Sequence, residues 1–271
     1  MKKKLPFIAL LLIIIGLVIW KYVHRPVTLE KQPIILGHGG MGVRSPYTLD
    51  SKRSIEVALA FPIQGTEIDV RMTSDNVLIA FHDEELPVHT GCPGTVWEKT
   101  YREMYECSHG VFHKAEPVDA LDTLLSHSWK DGTIFSLDLK PEADIDSLRL
   151  SQFKRNVKNI VNQFSQFRFL IESQDLNLLS SLKQMDITGE LFYYAQSGES
   201  AIENVTRQGF DGISINAANI SKEQIAEAQK ANITVMVWGT GSVFSNRKFL
   251  DLNADIIQTD AIKSMVIILD R

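Results

Sequence analysis

Short apolar runs recur along this chain at spacings that leave room for one helix between most neighbours. That rhythm constrains the fold more than any other feature. The runs are PIILGH (33–38), GTEID (65–69), TIFSLDLK (133–140), FRFLIES (167–173), ELFYYA (190–195), GISIN (212–216), TVMVWG (234–239) and DIIQTD (255–260). Segments of helical spacing lie between most of them, among them SKRSIEVALAF, IDSLRLSQFKRNVKNIVNQF, ESAIENVTRQ and SKEQIAEAQKAN. Strands separated by helices pair in parallel, because a parallel pair needs a crossover. VRMTSDNVLIAF differs: only about six residues part its two arms, too few for a crossover, so it reads as an antiparallel hairpin. Eight β/α units in about 240 residues predict a (β/α)8 TIM barrel, for which about 250 residues is typical. An open doubly wound sheet is the competing arrangement, but no Gly-rich dinucleotide fingerprint accompanies it. Residues 84–117, rich in turn formers and aromatics, break the alternation and read as an insertion above the barrel mouth.

The first 25 residues, MKKKLPFIALLLIIIGLVIWKYVHR, are of another kind. Three lysines precede an apolar run of about 16 residues that closes at a Trp-Lys-Tyr boundary, a short but usable membrane span. No small-x-small cleavage site follows, so an uncleaved transmembrane signal anchor over 1–25 is favoured over a cleaved signal peptide. With Lys2, Lys3 and Lys4 held inside, the barrel of residues 33–271 is expected on the extracytoplasmic side, or secreted if the signal is cleaved. Five of the 28 Lys and Arg lie in this segment with no acid, leaving 23 bases against 33 acids in the body. Such a body repels nucleic acid, which is excluded as a partner. Cys92 and Cys107 are the two cysteines; outside the cytoplasm they have the option of pairing, and the sequence leaves that open.

Strand C-terminal ends form the active face of such a barrel. The first run ends in His38, the second in Glu67 and Asp69, and the third in Asp138 and Lys140. The hairpin returns His82 and Asp83 to the same rim. Three carboxylates without a thiolate form a hard oxygen site for Mg²⁺ or Ca²⁺. Two histidines beside it suit general acid and base work near neutral pH, and Lys140 suits an anionic group. The combination points to phosphate ester chemistry.

In EIDVRMTSDNVLIAFHD (67–83), with HGG at 38–40, DLK at 138–140, VWGTG at 237–241 and QTDAI at 258–262, the chain resembles the glycerophosphodiester phosphodiesterase family, a branch of the phospholipase-C-like phosphodiesterase barrels. The resemblance implies that His38 and His82 are the catalytic pair and that Glu67, Asp69 and Asp138 hold a divalent metal. It further implies that Lys140 contacts phosphate and that Trp238 lines the pocket. The family's arginine after the first histidine is Gly39 here, and its Pro-Glu-Asn-Thr reads Pro46, Tyr47, Thr48, Leu49, so a Glu and an Asn near the metal are missing. Arg44 or Arg71 is expected to restore the missing positive charge. The implied activity is metal-dependent hydrolysis of glycerophosphodiesters to glycerol 3-phosphate and an alcohol. The alternatives are a phospholipase acting on intact phospholipid or sphingolipid headgroups at the membrane, or a non-catalytic phosphodiester-binding barrel.

Overall fold

The computed structural model describes residues 5–23, 25, 27, 29–107 and 116–270. Residues 108–115 of the expected insertion, and Lys2 to Lys4, lie outside that set. The strands are β1 (Ile34–Gly37), β2 (Gly65–Met72), β3 (Leu78–Ala80), β4 (Ile134–Leu139), β5 (Arg168–Ser173), β6 (Glu190–Ala195), β7 (Gly212–Asn216), β8 (Thr234–Thr240) and β9 (Ile256–Thr259). They neighbour one another in the order β1-β9-β8-β7-β6-β5-β4-β2, and β1 pairs with β2 to close the ring, Leu36 opposite Gly65. All eight pairings around the ring are parallel, while β3 runs antiparallel to β2 as the arm of a hairpin, Val70 opposite Ala80. Every expected strand is present, and the fold is a TIM barrel.

Side-chain alternation sorts each strand into an inward and an outward set. Inward, Leu36, Ile134, Leu170, Phe192, Met236 and Ile256 form one apolar layer that plugs the barrel. The next layer up is polar and just as buried: Glu67, Ser136, Glu172, Ser214 and Gln258. Outward, Ile68, Val70, Phe135, Leu137, Ile171, Ile213 and Val235 pack against the helices as the main core. A fully buried Phe or Ile of this kind contributes about 1.5–3 kcal/mol. Gly65 is forced by the narrow ring: a Cβ there would lie 1.8 Å from the Ile134 carbonyl oxygen.

Several of the crossover helices start at side-chain caps. Ser51 accepts from the Ser54 amide, Asp146 from Leu148 and Arg149, and Asp175 from Asn177 and Leu178, while Ser221 forms a capping box with Gln224. Each such cap is worth about 1 kcal/mol. The described part of the insertion has its own small core of Ile79, Phe81, Leu86, Val96, Met104 and Val118. Cys92 and Cys107 are joined in a disulfide across it, their Cα atoms 5.8 Å apart.

The N-terminal helix spans Leu5–Val23. Among the described residues no helix is long and apolar enough to cross a membrane. The anchor expected over 1–25 therefore finds no support in the fold. An apolar run of about 16 residues spans roughly 24 Å at 1.5 Å per residue, against a hydrocarbon core of about 30 Å.

Candidate active site

The strand ends gather the expected residues at one rim. Glu67 and Asp69 share the inner face of β2, and Asp69 lies opposite Asp138 of β4. The hairpin folds back so that the Phe81 amide donates to the Asp69 carbonyl at 3.0 Å, which sets His82 beside the end of β2. Arg71 fastens this return: its Nε donates to the His82 carbonyl at 3.0 Å and its guanidinium reaches the Lys140 carbonyl at 3.5 Å. Its donors are thus turned toward backbone. His38 follows β1, and its Nδ1 donates to Asp260 Oδ1 at 2.8 Å, leaving Nε2 bare and 3.9 Å from Glu67 Oε2. The Val43 amide also donates to Asp260 Oδ1, at 3.1 Å, and holds that carboxylate in place.

The tightest carboxylate group is not quite the expected one. Asp50, Glu67 and Asp69, all buried, each offer an oxygen within 4.8 Å of the others. Asp138 stands beside this group, facing Lys140 at 3.4 Å. Asp50 occupies a left-handed turn (φ 61°) directly before the cap Ser51, and its Oδ1 accepts from the Asp69 amide at 3.2 Å. With Tyr47 in place of a Glu, a carboxylate is supplied instead from three residues on. The only sequence signal was an acid next to a helix cap, and acids there are common.

Electrostatics favours a cation in this group. Burial, and then the neighbouring Asp69 charge, hold Asp50 and Glu67 well above the usual carboxylate range. Asp138 is pushed up to about 7, first by burial and then, against the pull of Lys140, by Asp69 and Glu172. Asp69 moves the other way: burial opposes its charge, but Lys140 Nζ at 2.5 Å and the two imidazoles bring it below its ordinary value. Lys140 is raised, since burial is outweighed by Asp69 and Asp138. Oδ2 of Asp50 and Oδ2 of Asp69 are buried and lack a hydrogen-bond partner. Each costs about 1–3 kcal/mol when left unsatisfied. Hard oxygen donors with idle lone pairs fit Ca²⁺ or Mg²⁺.

Gly39 has a physical reason. It sits at φ 50°, its amide donates to Glu67 Oε2 at 2.9 Å, and a Cβ would meet Leu49 Cδ1 at 2.3 Å. The space where a side chain at 39 would begin is filled by Leu49. Arg44 is exposed at the rim with its guanidinium on the Gly241 carbonyl at 3.2 Å. Trp238 is half-buried and meets Tyr194 edge-on, ring centroids 5.2 Å apart. Tyr194, which no motif singled out, has its phenol pushed up to about 12 by burial and then by Asp138. His38 is raised: burial opposes its charge, and the Asp260 hydrogen bond together with the charges of Asp260, Asp69 and Asp50 outweighs that.

An all-parallel eight-stranded barrel with histidines and carboxylates gathered at its strand C-terminal ends defines the class, a (β/α)8-barrel enzyme. Residues 39–264 match the model of the Glycerophosphoryl diester phosphodiesterase family, and the chain belongs to that family. It is accordingly a phosphoric diester hydrolase. The Bacillus subtilis protein YhdW, which bears the name of a glycerophosphodiester phosphodiesterase in provisional form, is 22% identical over 236 residues, 83% of this chain and 93% of that one. An Oleispira antarctica phosphodiesterase, solved with its product sn-glycerol-3-phosphate, has a TM-score of 0.77 at 18% identity, covering 88% of this chain and 97% of that chain. A glycerophosphodiester phosphodiesterase from Thermotoga maritima has a TM-score of 0.71 at 20% identity, covering 88% and 98%. At such identities the solved structures speak to the fold.

Proposed function

We propose that this chain hydrolyses glycerophosphodiesters to glycerol 3-phosphate and an alcohol, with His38 and His82 as the acid–base pair. The observation that carries the reading is the convergence of His38 on the carboxylates of the adjoining strand, Nε2 3.9 Å from Glu67. Glu67 and Asp69, with Asp50 or Asp138 completing the set, are the proposed holders of Ca²⁺ or Mg²⁺. When bound, such an ion neutralises phosphate oxygens and acidifies a nearby hydroxyl. Lys140 supplies a further fixed positive charge for the phosphate. Asp260 keeps the His38 proton on Nδ1, and Asp83 does the same for His82 at 2.9 Å. Each ring therefore presents Nε2 to the substrate. One removes the proton of the attacking hydroxyl and the other protonates the leaving oxygen, each worth about 10²–10⁴ in rate. Trp238, and Arg44 at the rim, border the space for the rest of the diester. The test is release of glycerol 3-phosphate from a panel of glycerophosphodiesters with added Ca²⁺ or Mg²⁺. Undiminished turnover in either His38→Ala or His82→Ala would sink the assignment.

A second reading, action on intact phospholipid, draws on Val43, Val88, Tyr105 and Phe244, apolar side chains exposed in segments that follow strand C-terminal ends. Release of headgroup from vesicles rather than from glycerophosphocholine would select it. An extracytoplasmic location is proposed as well, supported by the Cys92–Cys107 bond, because disulfides persist in oxidising compartments. Whether residues 1–25 stay attached to the barrel is answered by N-terminal sequencing of the protein isolated from cells.

A further inference from the structure

Asp83 is not an ordinary partner of a histidine, because both of its oxygens are taken by imidazoles. Oδ1 lies 2.9 Å from His82 Nδ1, and Oδ2 is in close contact with Nδ1 of His89. A carboxylate gripped at one oxygen swings about its own axis; gripped at both, it is fixed in plane. His89 comes from the insertion and is itself firmly seated. The 3-10 turn Leu86–Val88 precedes it, its amide donates to the Leu86 carbonyl at 3.3 Å, and the Thr90 amide and hydroxyl reach the same oxygen at 2.9 and 2.8 Å. Leu86 is fully buried in the insertion's core. The Cys92 amide donates to the Thr90 hydroxyl at 3.1 Å, and Cys92 is tied by its disulfide to Cys107.

We propose that His89 is a positioning residue for His82: through Asp83 it fixes the tautomer and ring orientation of the histidine on the barrel rim. The insertion thereby contributes to the chemistry without touching substrate. His89 has a side chain 53% exposed, so its packing contribution is small and its replacement leaves the fold intact. The inference rests on the phosphodiesterase reading for its effect on rate, but not for its effect on His82 itself.

The experiment uses the full chain with His89→Ala, His89→Asn and Asp83→Ala. Asn places an amide nitrogen close to where Nδ1 of histidine stands, so it retains the donor to Asp83. Imidazole ¹⁵N spectra of the metal-free protein should show His82 protonated at Nδ1 in the parent and in His89→Asn, and a mixture of tautomers in His89→Ala. With glycerophosphocholine and Mg²⁺, kcat should fall about 5–30-fold in His89→Ala, the equivalent of 1–2 kcal/mol. KM should stay within about twofold, and His89→Asn should recover most of the rate. Adding His89→Ala to Asp83→Ala should cost nothing further, since both act through one carboxylate. An unchanged His82 tautomer in His89→Ala, or losses that multiply in the double variant, would overturn the proposal. If the parent turns over no diester, the phosphodiesterase reading fails instead, and the spectra still decide the role of His89.

Discussion

His38 and Asp260, 222 residues apart in sequence, share a 2.8 Å hydrogen bond because the first and last strands of the barrel are neighbours. Closure of the ring thus assembles the His38 side of the site from the two ends of the body. Asp260→Asn keeps the shape but substitutes an amide for the carboxylate. We expect kcat to fall by roughly 10², at the low end of what a misaligned acid–base group costs, and the His38 pKa to drop from its raised value. An NMR titration of His38 in both proteins reads this directly. A raised histidine pKa stabilises the fold below the ordinary value of 6.5, and that stability is lost as pH rises through the raised value.

The choice between Asp50 and Asp138 as the third carboxylate is open to a melting experiment. Saturating Ca²⁺ or Mg²⁺ at about 100 times its Kd should stabilise the parent by about 2.7 kcal/mol. In Asp50→Asn that rise should largely vanish, while the metal-free melting temperature stays level or increases, since a buried like charge has been removed. Asp138→Asn should keep more of the rise. The reverse ranking would assign the third ligand to Asp138.

Without metal, stability should fall as pH rises from about 4 to about 7. Asp138 ionises near 3.8 in the unfolded chain and only at about 7 in the folded one, so the unfolded state loses its proton first. A tenfold change in a protonation equilibrium corresponds to about 1.4 kcal/mol, which makes this an effect of a few kcal/mol at most. Asp138→Asn should flatten the slope, which denaturant melts across that range will measure.

Asp83 makes the opposite contribution. Against the cost of burial, His82 and His89 draw its pKa down to about 2. The stability it provides is present above the usual carboxylate value of 3.8 and is lost as pH falls through about 2. Acid unfolding of Asp83→Asn should therefore be less steep in that window.

Reduction of the Cys92–Cys107 bond, or Cys92→Ser with Cys107→Ser, should destabilise the protein by about 3 kcal/mol, the figure for a loop of about 15 residues. Melts with and without reductant check this.

Much of the architecture was legible because parallel barrel strands are buried on both faces and leave compact apolar runs. Seven of the eight runs coincide with observed strands to within one residue at either end, and β2 alone runs further, to Met72, where it becomes the first arm of the hairpin. The hairpin was equally legible, since Thr73 to Val77 is too short for anything but an antiparallel return. Asp50 was not, because its place beside Glu67 depends on a left-handed turn that pattern does not announce. Tyr194 meets Trp238 only because their strands are brought close in the closed barrel, and His89 reaches Asp83 only through the local turn at Leu86–Val88, which residue pattern does not announce. The N-terminal run was legible as apolar, yet apolarity alone did not make it a span.

The most direct test of the central claim is turnover of glycerophosphocholine by the parent chain, before and after EDTA and again after Ca²⁺ or Mg²⁺ is restored. The prediction is that glycerol 3-phosphate release stops, then returns, and that His38→Ala and His82→Ala each release it at least about 10²-fold more slowly. Undiminished release in EDTA, or from either histidine variant, would contradict it.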